Sequence, residues 1–444
     1  MNSLFAVNAF LGRHNFQVNG PDINATINTM MFDMVEGLVS NPSVPLGSGP
    51  ALDMIPTWAM PPQSSPKNSS VIVIDAGGTN FRSCLVTFDA NGIPAISDME
   101  KKPMPATDRE YGKKEFFQTI ASYLDHLKNK ASRIGFCFSW AMSITPEGDG
   151  KVIQFSKEIK AKEVIGSLIG ESLSQALVER GWNTPEKIIL LNDTTAALLA
   201  GASGATGGKA YDSYVGFILG TGMNAAYIEY GNIAKIAHIK ASNMSAQIVV
   251  CESGKCNKIA RSDFDADLDS TTNSPGLYGY EKMCSGAYLG PLAYRALKAA
   301  AAEGMFSAQI TKGIASLKSL ELKDMDQFFY APYRTDTTLG AILSGAPDFD
   351  RDAVYRILDA FIERSARLAA ANIACAVIKS GKGYSPVQPV CILCEGTTFL
   401  KTHFLRDRVT GYLNRCLVEE RGIWYEIVTM DNAVTLGSAV AGLS

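Results

Sequence analysis

Residues Val71–Phe88 read VIVIDAGGTNFRSCLVTF. Val71, Ile72, Val73 and Ile74 form the short continuous apolar run of a buried strand. Asp75-Ala76-Gly77-Gly78-Thr79-Asn80 breaks that run, and Leu85, Val86 and Phe88 restart an extended one. The expected structure is strand, tight turn, strand. Two adjacent glycines open backbone conformations closed to other residues and leave no Cβ between the amides and a ligand. Such a turn can aim several N–H groups at phosphate oxygens. Arg82 adds a fixed positive charge, and Asp75 adds a carboxylate suited to Mg²⁺, directly or through water. The glycine pair alone fits an ordinary hairpin better; the string from acid to arginine is what favours a phosphate turn.

The same theme returns at Tyr214–Tyr230, YVGFILGTGMNAAYIEY. Gly220-Thr221-Gly222 offers backbone amides and one hydroxyl, flanked again by strand-like residues. Gly220–Ala225 also fits the G-x-G-x-x-A dinucleotide pattern, but that turn must open a helix. Ala225–Tyr230 is rich in tyrosine and β-branched residues and continues as strand, so the dinucleotide reading is rejected. Two similar β-turn-β units point to two related halves facing one cleft.

A chain of 444 residues is long enough for two lobes. With 46% hydrophobic and 19% charged residues and a net charge of −3, the composition is globular and argues against a nucleic-acid surface. No run reaches the roughly 18 apolar residues of a membrane span. The N-terminal MNSLFAVNAFLGR lacks the basic region and small-residue cleavage site of a signal peptide. Nine scattered cysteines suit a reducing compartment. The expectation is a cytoplasmic protein with neither nucleic-acid nor membrane partners. Cys251-x4-Cys256 and Cys391-x2-Cys394 superficially suggest zinc, but residues three apart on a strand point to opposite faces, so Cys391 and Cys394 would not clasp one ion.

Between and beyond the two turns, spacing predicts helices over Asp22–Val39, Glu115–Lys130, Val164–Arg180, Thr195–Ala202, Tyr280–Leu297, Arg351–Ser380 and Asn432–Leu443. It predicts strands over Ile134–Ser139, Lys187–Leu191, Ile248–Val250 and Val390–Cys394. Asn41–Pro50 and Pro61–Ser70 read as loop and linker, and Ser143–Gly150 as a turn-rich connection.

Asp193 is the leading candidate for chemistry. It follows the buried run Lys187–Leu191, where open α/β sheets bind their ligands. Phosphoryl transfer to an alcohol needs a group placed to accept the hydroxyl proton. An Asp at a strand–helix junction can equally be a helix cap. Glu252 and Glu281 are candidate acceptors for a ring of sugar hydroxyls, since charge-assisted hydrogen bonds suit them; singly, each fits a solvated surface acid.

Taken in order, these strings resemble the hexokinase family of sugar kinases. The resemblance rests on the first phosphate turn, on Asn192-Asp193-Thr194, on Gly220-Thr221-Gly222 with Asn224, on PGxxxxEKMxSGxYLG at Pro275–Gly290, and on Cys394-Glu395-Gly396-Thr397 near the nucleotide. Three segments depart from the family pattern. Phe138-Ser139-Trp140 stands where the family has Phe-Ser-Phe-Pro. Phe155-Ser156-Lys157 stands for Trp-Thr-Lys. Around Glu252 the family shows Asn-Thr-Glu-Trp-Gly, of which only the Glu and Gly remain.

The resemblance implies an actin-like ATPase (ribonuclease H-like) α/β fold, two lobes each on a mixed five-stranded sheet with a cleft between them. Residues 57–192 plus 433–444 would form the small lobe, and 1–56 plus 193–432 the large one. It implies MgATP-dependent phosphorylation of a hexose, glucose foremost, at the 6-hydroxyl, the first step of glycolysis, by a monomer or homodimer. Asp193 would be the general base. The sugar would meet Ser139, Ser156, Lys157, Asn192, Asp193, Asn224, Glu252 and Glu281. ATP would meet Asp75, Gly77, Gly78, Thr79, Asn80, Arg82, Gly220, Thr221, Gly222, Gly396 and Thr397, with Asp75 ordering Mg²⁺ through water. A sugar sensor that has lost turnover and a plain ATPase of the actin superfamily are the competing readings. Intact Asp193 and both turns argue against the first, and Glu281 and Lys157 against the second.

Overall fold

The computed structural model describes residues 3–39, 52–62, 64–77, 80–155, 159–203, 209–239 and 244–444. Within them the strands are, in chain order, β1 (Ile55–Pro56), β2 (Ser69–Gly77), β3 (Asn80–Phe88), β4 (Pro94–Pro103), β5 (Arg133–Phe138), β6 (Ala141–Ile144), β7 (Gly150–Gln154), β8 (Lys187–Leu191), β9 (Ser213–Leu219), β10 (Met223–Tyr230), β11 (Ala246–Val250), β12 (Val390–Glu395) and β13 (Tyr425–Val428). Two large mixed sheets result. One has the order β4-β3-β2-β5-β8, the other β1-β11-β10-β9-β12-β13.

The two sheets repeat one plan. In the first, β2, β3 and β4 pair antiparallel, while β5 and β8 add on parallel to β2. In the second, β9, β10 and β11 pair antiparallel, while β12 and β13 add on parallel to β9. The units β2–β3 and β9–β10 therefore occupy equivalent places, which is the duplication expected from the two glycine turns. The fold class is the expected one, with one amendment: the second sheet carries a sixth strand, the two-residue β1 on its edge. Pro56 has no N–H to give a further neighbour, and proline is tolerated at such an edge.

Apolar runs explain the inner strands. Val71, Ile72, Val73 and Ile74 on β2, and Val390, Ile392 and Leu393 on β12, are all at most 1% exposed. β4, by contrast, is mostly exposed along PAISDMEKKP, so no apolar run announces it. Four helical expectations shift. Lys113–Tyr123 stops short of Lys130, Ile169–Glu179 begins later than Val164, and the long helix starts at Asp348. The stretch read as one helix over Tyr280–Leu297 is two, Gly279–Cys284 and Gly286–Ala302, because Ser285 between them is extended (φ −88°, ψ 162°). Ser143–Gly150, read as a turn-rich connection, is the turn of the hairpin β6–β7, its ends belonging to the two strands. Asn41–Pro50 lies outside the described residues.

The C-terminal helix Ala433–Leu443 packs against β2, β5 and the helix Asp193–Ser203. Its approach is very close: a Cβ on Gly437 would lie 1.8 Å from the Ala196 carbonyl oxygen. Between the sheets runs the segment after β1. Thr57 donates its hydroxyl to Ile248 O at 2.8 Å, and Trp58 Nε1 donates to Ile144 O at 2.9 Å, tying β11 to the β6–β7 hairpin.

Candidate active site

The carboxyl ends of the parallel strands converge on one crevice, the position at which open α/β sheets take ligands. β2 ends in Asp75-Ala76-Gly77, β5 runs into Ser139, and β8 runs into Asn192-Asp193. The ladder sets Asp75 directly across from Arg82, and Arg82 Nη1 lies 3.2 Å from Asp75 Oδ2. Ser139 donates its hydroxyl to Asp193 Oδ2 at 3.3 Å. A Cβ on Gly77 would stand 3.4 Å from Ser139 Oγ and 3.5 Å from Asp75 Oδ1, so these groups share one small space.

Asp193 opens a helix, as the capping alternative requires, but Asn192 performs much of the capping. Its Oδ1 accepts the Thr194 N–H at 3.0 Å and the Thr194 hydroxyl at 2.5 Å. Oδ1 of Asp193 also accepts the Thr194 N–H, at 2.9 Å, while Oδ2 faces Ser139.

The second sheet supplies the opposite wall. The Gly220 N–H donates to Gly222 O at 2.9 Å, closing the turn. The Gly220 and Thr221 carbonyls accept the N–H groups of Gly286 and Ala287, at 2.8 and 3.2 Å, at the start of the helix Gly286–Ala302. Thr398 donates its hydroxyl to Gly220 O at 2.9 Å, drawing the turn after β12 against the turn after β9. Thr397, the residue singled out from sequence, is exposed, and the neighbouring Thr398 makes that contact. A Cβ at position 222 would stand 2.4 Å from Glu281 Oε2, so a side chain there would displace that carboxylate. That oxygen accepts the Met223 N–H at 3.0 Å, so Glu281 is fastened to the second turn.

Beside it, Asn224 Nδ2 donates to Glu252 Oε1 at 3.2 Å. Glu252 has φ +54°, the left-handed region uncommon for a residue with a side chain. Ile55, Thr57, Trp140, Met142, Asn192 and Glu252 line a cleft between the sheets. Lys255 was not singled out in the sequence, although its spacing, one short turn after Glu252, offered a signal. It pairs with Asp53, and its ammonium acts on the Glu252 carboxyl. Gly78, Thr79, Ser156 and Lys157 lie outside the described residues.

The electrostatics of the crevice are dominated by acids. Burial pushes the Glu252 carboxyl up to about 7; Lys255 opposes, while Asp53, Asp193 and Glu281 add to the rise. Asp75 is raised by burial, opposed by Arg82 and reinforced by Asp193. Glu395 is raised by burial, opposed by the Gly396 N–H and reinforced by Asp431 and Asp75. Through space, Asp193 acts on the Asp75 carboxyl, and Asp431 and Asp75 act on that of Glu395. Carboxylate oxygens such as those of Asp75 suit a hard cation such as Mg²⁺. Among the described residues no three metal-ligating side chains gather as a cage. A cation here therefore draws most of its ligands from phosphate and water, the usual situation of Mg²⁺.

Two family models described as hexokinase match the chain, one over residues 12–203 and the other over 214–444. Hexokinase-1 of Schizosaccharomyces pombe is 26% identical over 429 residues, covering 92% of this chain and 84% of that protein. Hexokinase-5 of Oryza sativa is 31% identical over 339 residues, 70% of this chain and 65% of the relative. A hexokinase from Schistosoma mansoni, solved in complex with glucose, superposes with a TM-score of 0.80 over the whole of both chains at 21% identity. A likeness at that identity speaks to the fold.

Proposed function

Because the chain belongs to the hexokinase family, whose reaction is the transfer of a phosphoryl group from MgATP to a hexose, we propose that this protein phosphorylates glucose at its 6-hydroxyl as the entry step of glycolysis, in the cytoplasm. The observation that carries the reading is the convergence of Asp193, bonded to Ser139, with the duplicated glycine turns on one crevice. The small lobe is assigned to residues 57–192 with 433–444, and the large lobe to 1–56 with 193–432.

In this mechanism Asp193 accepts the proton of the primary hydroxyl as that oxygen attacks the γ-phosphorus in line. Ser139 holds the Asp193 carboxyl toward the sugar. Asn192, Asn224, Glu252, Glu281, Ser156 and Lys157 bind the remaining hydroxyls and set the attacking oxygen within reach. The amides of Gly77, Gly78, Gly220 and Gly222, with Thr79, Asn80, Arg82, Thr221, Gly396 and Thr397, stabilise phosphate charge. Asp75 would hold Mg²⁺, through water, and the cation would supply charge neutralisation at the phosphate oxygens. Water is a smaller nucleophile than a hexose. Sugar-driven closure of the lobes supplies the discrimination, an induced-fit step.

Initial rates of ADP release, measured with and without each of a panel of hexoses, test the assignment. Release that depends on hexose, fastest with glucose, is expected. Release independent of sugar, or no release with any sugar, overturns it.

A further inference from the structure

Asn372 sits in the middle of the helix Asp348–Ser380, inside the run Ala369–Val377, where every other residue is apolar and buried. Its own exposure is 2%. A carboxamide in such a place is costly unless its polar atoms are matched. Its Nδ2 donates to Ser253 Oγ at 2.9 Å, and Ser253 is itself completely buried. Ser253 passes the contact on: its N–H and its hydroxyl both donate to Asn224 Oδ1, at 3.2 and 3.4 Å. The same Oδ1 accepts the Ala225 N–H at 2.8 Å.

A carboxamide has two ends of nearly equal size but opposite hydrogen-bonding sense. At Asn224, donors from Ser253 and Ala225 fix the oxygen, so the amino end is turned to Glu252 Oε1, 3.2 Å away. The relay therefore runs from a buried helix amide to a carboxylate on the cleft wall. It depends on a small hydroxyl residue at position 253, where the resembled family segment carries tryptophan.

The same helix also carries the neighbouring acid. Arg364 donates to Met283 O at 3.1 Å and Ser365 to Cys284 O at 2.7 Å, while Tyr280 on the Glu281 helix donates to Leu368 O at 2.7 Å. Arg364 is locked in turn by Asp265, at 2.7 and 2.8 Å, with both side chains 3% exposed. One helix thus touches the elements behind both acids, and Asn372 is linked to Glu252 only through Ser253 and Asn224.

Resting on the sugar-kinase reading above, we propose that Asn372 is a positioning residue for hexose recognition: acting through Ser253, it fixes the orientation of the Asn224 carboxamide and so the pose in which Glu252 receives sugar hydroxyls. The residue touches neither substrate. Its loss weakens hexose binding while leaving phosphoryl transfer from a saturated enzyme intact.

Steady-state kinetics of the full chain, varying glucose and MgATP separately, test this in Asn372→Leu, Ser253→Ala and the double variant. Each single change is expected to raise the glucose KM by about tenfold. The value of kcat at saturating glucose and the KM for ATP stay within about twofold. The double variant is expected to be no worse than the more affected single, because both changes cut one relay. Loss of stability alone lowers the active fraction, and hence kcat, without moving KM. Should Asn372→Leu fail to fold, Ser253→Ala, which removes a single oxygen, carries the test. An unchanged glucose KM in the folded variants, or fully additive effects in the double variant, overturns the positioning role alone. Wild-type protein with no hexose-dependent turnover overturns the sugar-kinase reading on which it rests.

Discussion

The Ser139 hydroxyl donates to Oδ2 of Asp193 at 3.3 Å, joining the end of β5 to the first turn of the helix that follows β8. Because Asn192 takes up the Thr194 N–H and hydroxyl, the Asp193 carboxylate is not consumed by the cap alone. It faces the crevice with Ser139 and Asp75 as neighbours. Asp193→Ala is expected to lower kcat by roughly 10²–10⁴-fold, the range for loss of a general base, with glucose affinity much less changed. Ser139→Ala removes one hydrogen bond to a charged group, typically about 1.5 kcal/mol, and is expected to cost roughly tenfold. Coupled ADP-release kinetics and glucose binding by calorimetry, run side by side, separate the two quantities. Near-normal turnover in Asp193→Ala would remove the base assignment.

Glu252 is expected to give the site a pH dependence. Its folded-state value of about 7 exceeds the ordinary 4.5 because burial disfavours the charged form. Only the carboxylate accepts sugar hydroxyls from both lone-pair sets, so glucose affinity is expected to weaken as pH falls below about 7. Binding near neutrality should then release a proton, seen as a dependence of calorimetric heat on buffer ionisation enthalpy. The stability effect has the opposite sense. An acid whose folded value is raised contributes fully below its unfolded value of about 4.5 and loses that contribution as pH rises to about 7. Glu252→Gln should therefore flatten the fall in thermal stability between about pH 5 and 7. It should also abolish the binding-linked proton release. A variant that keeps that release would show that another group titrates.

Gly222 lies where the second glycine turn meets Glu281. A methyl at this position would stand 2.4 Å from Glu281 Oε2 and displace the carboxylate that accepts the Met223 N–H. Gly222→Ala is expected to raise the KM for both glucose and ATP and to lower kcat/KM by roughly 10²-fold, the usual consequence of an ångström-scale misplacement. Melting temperature should change little, because Gly222 lies in a partly exposed turn. A selective loss of ATP affinity alone would mean that Glu281 had relaxed without cost.

Much of this site was legible in sequence because it is written in short continuous strings. The apolar runs of β2, β8, β9 and β12 each give way within two residues to a glycine or acid, and that change marks both strand and turn. What stayed hidden was of other kinds. β4 is an exposed edge strand with no apolar face to recognise. The β6–β7 hairpin was masked by Thr145-Pro146-Glu147-Gly148, whose turn chemistry outweighed two short flanking strands. The break at Ser285 is made by backbone conformation, with no Pro or Gly preceding it to announce it. Asn372 looks in sequence like one polar residue on an apolar helix; only its register against Ser253, 119 residues away, gives it meaning.

Asp75 and Arg82 stand directly across the first hairpin, and their ion pair sets a division of labour that mutation can resolve. Arg82 is 49% exposed along its side chain, so the pair contributes little to stability. Its worth lies in where it leaves the Asp75 carboxylate, raised by burial and by Asp193 and held down by Arg82. Asp75→Asn removes the charge proposed to hold Mg²⁺ through water but keeps the shape. Turnover is expected to fall by roughly 10²-fold or more, as for loss of one preorganised electrostatic group, and the Mg²⁺ concentration for half-maximal rate should rise. Arg82→Ala should instead raise the KM for ATP while leaving the Mg²⁺ requirement and glucose binding near wild type. If the two variants shift the Mg²⁺ requirement equally, Arg82 acts by positioning the Asp75 carboxylate and the proposed division of labour fails. If neither shifts it, Asp75 is not the group that holds the cation.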